Sequence, residues 1–182
     1  MISYHKLLPH EAAELKAHLC RLDPQERGLR FFASVNDGFI NRHVDGIDWD
    51  HATVVGAFRA GHLVGAAELL ATAEGAELAV SVDHDIQHEG VGTELVSRAL
   101  LAARNRGIRH VTVEYLSRNN PIRRIAARFK PQLHAGGGGI VADITMPTPN
   151  NASLLREIAG EAWGWFWDFA DRLTFHLPAK TG

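Results

Sequence analysis

A pair of glycines constrains this chain more than any other feature. Gly90 and Gly92 sit in Gln87-His88-Glu89-Gly90-Val91-Gly92-Thr93, between a strand-like run and a helix-like run. Upstream, Leu78, Val80 and Val82 alternate with small Ala79 and Ser81, the period of a strand, and Asp83-His84-Asp85 ends it. Downstream, Val91, Leu95, Ala99 and Ala102 share one face at helical spacing, with Glu94, Ser97, Arg104 and Asn105 on the other. The glycines therefore mark a strand-to-helix junction. Without side chains they let backbone N–H groups approach a ligand, and first-turn amides lie at the positive end of the helix dipole. Such a junction suits an anion, most naturally phosphate.

Spacing separates the architectures that build such a site. A dinucleotide fingerprint needs a third glycine where Leu95 stands, and a P-loop needs Gly-Lys-Ser/Thr, which is absent. The remaining pattern, Gln-x-x-Gly-x-Gly, resembles the acetyl-CoA signature of the GNAT superfamily of N-acyltransferases. Its context fits over about fifty residues. Ala76 to Asp83 reads as a strand, a helix ends in Ala103-Arg104-Asn105-Arg106-Gly107-Ile108, a strand runs through Val111, Val113 and Tyr115, and Asn119-Asn120-Pro121-Ile122 follows. A second stretch, Arg21-Leu22-Asp23-Pro24-Gln25-Glu26-Arg27-Gly28-Leu29-Arg30-Phe31-Phe32, is similar to one in Pat-like protein lysine acetyltransferase domains.

The 182 residues, 46% hydrophobic and 22% charged, suit one globular domain with a substantial core. Nineteen basic against twenty-one acidic residues give a net charge of −2, and no Lys/Arg block favours a nucleic-acid partner. The N-terminus opens no signal sequence, and Cys20 is the only cysteine, so the chain reads as cytoplasmic and free of disulfides. Cys20 shares a helix face with Leu15 and Leu19, which suits a small buried hydrophobe better than a nucleophile. The eleven histidines form no ligand cluster; Asp83-His84-Asp85 with His88 lacks a fourth ligand, so no metal is expected.

Residues 2–8 read as a strand, Pro9 and Glu11 open a helix that Asp23-Pro24 breaks, and Val54–Phe58 and Leu63–Leu70 form a hairpin turning at Ala60-Gly61. Glu74-Gly75 turns into the next strand, a helix spans about 120–129, and Leu133 and Ile140–Met146 close the sheet around Gly136–Gly139, read as a loop. Pro147 and Pro149 mark a boundary, dividing a domain at 1–147 from an extension at 148–182. Asn151 or Ser153 caps a last helix to about Leu173, whose apolar residues, Trp163, Phe166 and Trp167 among them, spread over roughly 220° of its circumference. Glu157, Glu161, Asp168 and Asp171 hold the remaining strip. That helix either docks on its own domain, makes a homodimer contact or walls the substrate site; an acidic strip does not suit a membrane.

The GNAT resemblance implies a mixed, mostly antiparallel sheet flanked by helices, here with an added C-terminal aromatic helix. It implies acetyl-CoA as co-substrate. Val80 and Val82 would pair with the pantetheine arm as an added strand would. Gln87, Gly90, Gly92 and Thr93, with the amides of His88 and Val91, would hold the pyrophosphate, and Asn119 would reach the thioester region. The implied reaction is direct attack of an amine on the thioester. An alkylammonium of pKa about 10.4 needs a base, for which the resemblance points to Glu77, with Glu68 and Glu114 as alternates. As a strand residue, Glu77 also fits a solvent-face carboxylate.

The sequence departs from the family at three places. Glu89 stands where a basic residue is common, so its side chain must face solvent. Ala126 stands where many members place a tyrosine acid, which leaves Tyr115 as a candidate or no acid at all. Lys130-Pro131 replaces a Gly-Phe. The acceptor is either a protein lysine or a small amine, and the competing reading is a module that binds acyl-CoA as a sensor without catalysis.

Overall fold

The computed structural model describes residues 1–175; the last residues of the expected extension, 176–182, lie outside the described residues. Seven strands form one sheet in the order β1-β2-β3-β4-β5-β7-β6. They are β1 (Ile2–Lys6), β2 (Thr53–Arg59), β3 (His62–Thr72), β4 (Gly75–Val82), β5 (His110–Tyr115), β6 (Gln132–Gly136) and β7 (Gly139–Thr145). Every neighbouring pair is antiparallel except β4 and β5, which run parallel. The mixed, mostly antiparallel sheet is thus the one the GNAT resemblance implies.

Strand alternation feeds two cores. On one face α4 (Val91–Asn105) crosses β2, β3 and β4, burying Leu95, Val96 and Ala99 against Val55, Leu78 and Val113. On the other, α1 (Ala12–Arg21) and α3 (Asp37–Asp45) bury Leu15, Leu19, Ile40 and Val44 against Val54, Phe58 and Leu63. Cys20 packs at the margin of this second core, where burial pushes its thiol pKa up and keeps it protonated, as suits a spectator.

Two helices were not foreseen. Asp23 not only ends α1 but starts α2 (Pro24–Phe31): its carboxylate accepts from the Glu26 amide while Glu26 reaches back to the Asp23 amide, a complete capping box with Pro24 at the first helical position. Asn36 caps α3 in the same way through the Phe39 amide. α2 buries none of its residues. Polar tethers hold it instead, chiefly Arg27 to the carbonyls of Cys20 and Leu22, Arg30 to Glu68, and Glu26 to Gln87.

The last helix, α6 (Asn151–Phe175), lies along β1 and reaches α4. Lys6 N–H donates to Glu161 at 2.9 Å, so the helix covers part of the sheet's free edge. A Cβ on Gly164 would stand 1.8 Å from the Tyr4 carbonyl, so only glycine allows this approach. Trp165 stacks on the buried His5, whose other face stacks on Phe58 at 4.2 Å; burial lowers the His5 pKa and keeps the ring neutral. No helix among the described residues is long and apolar enough to cross a membrane.

Candidate active site

β4 and β5 pair at two positions only, Ala76↔Val111 and Glu77↔Thr112, and then part. Among the described residues, the β5 edge of β4 has no strand partner beyond Glu77, while β3 stays paired with β4 through Val82. The Asp83 amide donates to the Val64 carbonyl of β3 at 2.8 Å. By strand alternation the backbone groups of Val80 and Val82 therefore face the gap. The Val82 carbonyl accepts there from the Gln87 side chain at 3.2 Å.

The gap opens into a cavity of about 360 Å³. Val80, Ser81 and Val82 form one wall, and α5 (Asn120–Ala127), with Arg118 and Asn119 before it, forms the other. α2 crosses the mouth through Glu26, Leu29 and Arg30. Gln87, His88 and Gly92 close the end. Ser81 is pinned from behind: His18 Nε2 lies 2.9 Å from its Oγ, and His18 Nδ1 lies 2.8 Å from Asp83, which Arg21 also holds. Burial opposes ionisation of Asp83, but His18 and Arg21 outweigh it and keep its carboxyl below the usual range.

At the closed end, Gly90 is the N-cap of α4 with φ of +86°, a left-handed conformation that favours glycine, and no side chain caps the helix. The first intrahelical bond runs from Glu94 N–H to the Gly90 carbonyl, so the amides of Val91, Gly92 and Thr93 have no acceptor within the helix. Gly92 has a different reason to be glycine. A Cβ there would meet Ile125 at 3.1 Å and Val82 at 3.6 Å, bridging the two walls.

The structure thus gathers Val80, Val82, Gln87, His88, Gly92 and Asn119 around one cavity, with Gly90, Val91 and Thr93 flanking Gly92 in the turn. Asn119 caps α5, its Oδ1 3.4 Å from the Ile122 amide. Glu89 is turned aside and pairs with Arg59 at 2.7 Å, both partly exposed.

Glu77 does not line the cavity. It is exposed in a neighbouring hollow of about 330 Å³ at the last paired position of β4, with Glu74, Thr112 and Glu114. Register places it opposite Leu70, on the face where Ser81 meets His18 of α1. Of the alternates, Glu68 is buried and bonded to Arg30 and His43, and Glu114 is tucked against the Gly137 backbone, where a Cβ would lie 1.9 Å from its Oε1. Tyr115 is 1% exposed in the α4-side core, and Ala126 is buried as well.

Sequence reading missed Arg118 and all of α2. Arg118 is exposed at the cavity wall and makes no ion pair among those of the described residues; its only signal was the neighbouring Asn119. Asp23, Glu26 and His84 bring ligand atoms within 4.8 Å of one another, but Glu26 is committed to the capping box and to Gln87, which accounts for the cluster.

Residues 17–129 match the sequence signature of the Acetyltransferase (GNAT) family. The chain belongs to that family. Among solved structures, the GNAT domain of S. lividans PAT is 21% identical with a TM-score of 0.66, over 79% of this chain and 89% of that one. A GNAT-family acetyltransferase of Streptococcus pneumoniae is 17% identical with a TM-score of 0.64, over 81% and 100%. The PaiA N-acetyltransferase of Thermoplasma acidophilum, solved with coenzyme A, is 15% identical with a TM-score of 0.60, over 80% and 99%. No curated protein matches significantly in sequence. As a GNAT acetyltransferase, the protein is an acetyl-CoA-dependent N-acetyltransferase; identities this low add the likeness of fold and leave its acceptor open.

Proposed function

We propose that the parted β4–β5 edge, ending at the uncapped start of α4, is the acetyl-CoA site, and that the enzyme passes the acetyl group directly to a primary amine. The observation that carries this reading is the convergence on one cavity of free strand edge, unpaired first-turn amides and Asn119. The pantetheine takes the edge of Val80 and Val82. The pyrophosphate takes the amides of His88 and Val91–Thr93 with Gln87, and Arg118 adds a cation. No metal takes part. Residues 1–147 act as the catalytic unit and 148–182 as its extension, in the cytoplasm and as a homodimer.

Glu77 serves as the base. It is the carboxylate at the point of parting that neither a cation nor a glycine loop engages. The amine gives its proton to Glu77, directly or through water, attacks the thioester carbonyl, and coenzyme A leaves as a thiolate. Glu77→Gln is expected to lower kcat by about 10²-fold or more with CoA affinity nearly intact, read by thiol release across pH. Unchanged turnover would move the role to Glu114, since Glu68 holds its charge too firmly. None of α6 lines the cavity or the hollow, and a hollow open in this way favours a lysine side chain on a protein over a small enclosed amine.

The acyl-CoA sensor remains the second reading because position 126 offers only a buried methyl group where an acid is common. A panel of amines and lysine peptides with acetyl-CoA separates the two: tight CoA binding without amine-dependent thiol release selects the sensor. Arg59→Ala supplies a finer check. Exposed pairs contribute little to stability, so the melting temperature should hold. Uncovering the Glu89 charge should weaken CoA binding a few-fold, and less so at high salt. Binding insensitive to both changes would place the phosphates elsewhere.

A further inference from the structure

α6 is amphipathic the wrong way round. The side that meets its own domain is mostly polar or small, carrying Glu157, Gly160, Glu161, Gly164 and Asp168, with Trp165 at its margin stacked on His5. The opposite side is apolar and bare: Leu155 is 67% exposed, Ile158 65%, Phe166 59% and Phe169 63%. A helix normally buries its apolar stripe and wets its polar one. Here the domain has taken the polar strip and, among the described residues, left the apolar stripe without a partner.

The stripe has an internal symmetry that names its occupant. Leu155, Ile158, Ala162, Phe166 and Phe169 fall within about 40° of one line on a helical projection. Their spacings of three, four, four and three residues read the same in both directions from Ala162. Laid antiparallel on a copy of itself, the helix sets Leu155 against Phe169, Ile158 against Phe166, and Ala162 against Ala162. Each aromatic ring then meets an aliphatic side chain, and the small residue stands where the axes cross closest. A two-fold contact must be self-complementary in this way. With a buried aromatic covering about 150–250 Å², the stripe with Trp163 amounts to several hundred Å² per copy, of the order of the ~800 Å² each partner gives to a stable interface. A membrane surface fits less well, because a helix lying in one keeps a basic face toward the headgroups, whereas here the charged strip is largely acidic and turned into the domain.

We infer that α6 pairs with α6 of a second copy, antiparallel and centred on Ala162, so that the dimer holds its two catalytic units on opposite sides of a helix pair. This deepens the homodimer of the proposed function and is independent of the acetyl-CoA site. Sedimentation of the full chain at tens of micromolar should give twice the chain mass. Ile158→Lys and Phe166→Glu, each at an exposed position, should each give the chain mass with CoA binding retained. Mixing those two variants should restore the doubled mass, because the antiparallel register sets position 158 of one copy against position 166 of the other and the two introduced charges are opposite. Doubled mass in either single variant, or no recovery on mixing, would overturn the register. A wild-type chain that sediments at the single mass, including one that pellets with phosphatidylcholine–phosphatidylglycerol vesicles, would overturn the pairing itself. CoA titration of every variant distinguishes lost pairing from lost folding.

Discussion

Gly92→Glu is expected to reduce acetyl-CoA affinity by at least ~100-fold while the melting temperature changes by only a few degrees. The Cβ alone would sit 3.1 Å from Ile125 and 3.6 Å from Val82, inside the gap where the added strand of the pantetheine must lie. The carboxylate adds the larger effect. A like charge about 4 Å from a phosphate costs ~4 kcal/mol at an effective dielectric of 20, and ~1.4 kcal/mol already corresponds to tenfold in binding. The fold loses little, because Ile125 ends in a flexible side chain, the core face of α4 is carried by Val91, Leu95 and Ala99, and an acid in a first helical turn is favoured by the dipole. Gly92→Ala, which keeps the contact without the charge, should fall between the two. Calorimetric titration with coenzyme A, beside a thermal melt, reads both quantities. A folded Gly92→Glu protein with ordinary CoA affinity would sink the placement of the site.

What the sequence discloses follows from what kind of force holds each element. β2 to β5, α4 and α5 are built on buried apolar periodicity, and periodicity is visible in a single sequence. Leu78, Val113 and Leu95, each in an apolar-periodic run, are all buried. The free edge of Val80 and Val82 is implied only by the resemblance, since nothing in the residue types says where two strands separate. α2 and α3 escaped for the opposite reason. Their signals are caps, at Asp23 with Glu26 and at Asn36, and α2 buries nothing that a periodic reading could find. The polar bonds that hold it run to residues as distant as Glu68 and Gln87, a separation that sequence order hides. α6 was legible as a helix with too wide an apolar arc. Which side docks was not, because its contact rests on the close approach of Gly164 to β1 and on Lys6 between Glu157 and Glu161.

The second large effect is expected at Arg30→Ala, with ~3–5 kcal/mol of stability lost at neutral pH and a flatter acid limb. Glu68 is 1% exposed on β3, with Arg30 Nη2 and His43 Nε2 each 2.7 Å from its carboxylate. Burial alone would raise its pKa; the charge of Arg30, then the bond and charge of His43, outweigh burial and hold it at about 2. A carboxyl depressed in the folded state stabilises the fold above its unfolded value, near 4.5, and loses that contribution as pH falls from there toward 2. Wild type should therefore weaken across that window, and Glu68→Gln should flatten the dependence. Removing Arg30 leaves a buried carboxylate with His43 alone, so its folded pKa rises toward the unfolded value, and the variant, already weakened at neutral pH, loses less on acidification than wild type. For a chain of this length ~2–4 °C accompanies each kcal/mol, so the melting temperature at neutral pH should drop by ~6–20 °C. The loss reaches the site as well, because Arg30 is the tether from α2 to the sheet and α2 crosses the mouth of the cavity. A loosened α2 should weaken acetyl-CoA binding beyond what the melt explains, seen as a faster CoA off-rate at temperatures where the variant is still folded. An Arg30→Ala protein with wild-type melting and an unchanged acid limb would show that Glu68 is satisfied without it, and would leave α2 resting on Arg27 and Glu26 alone.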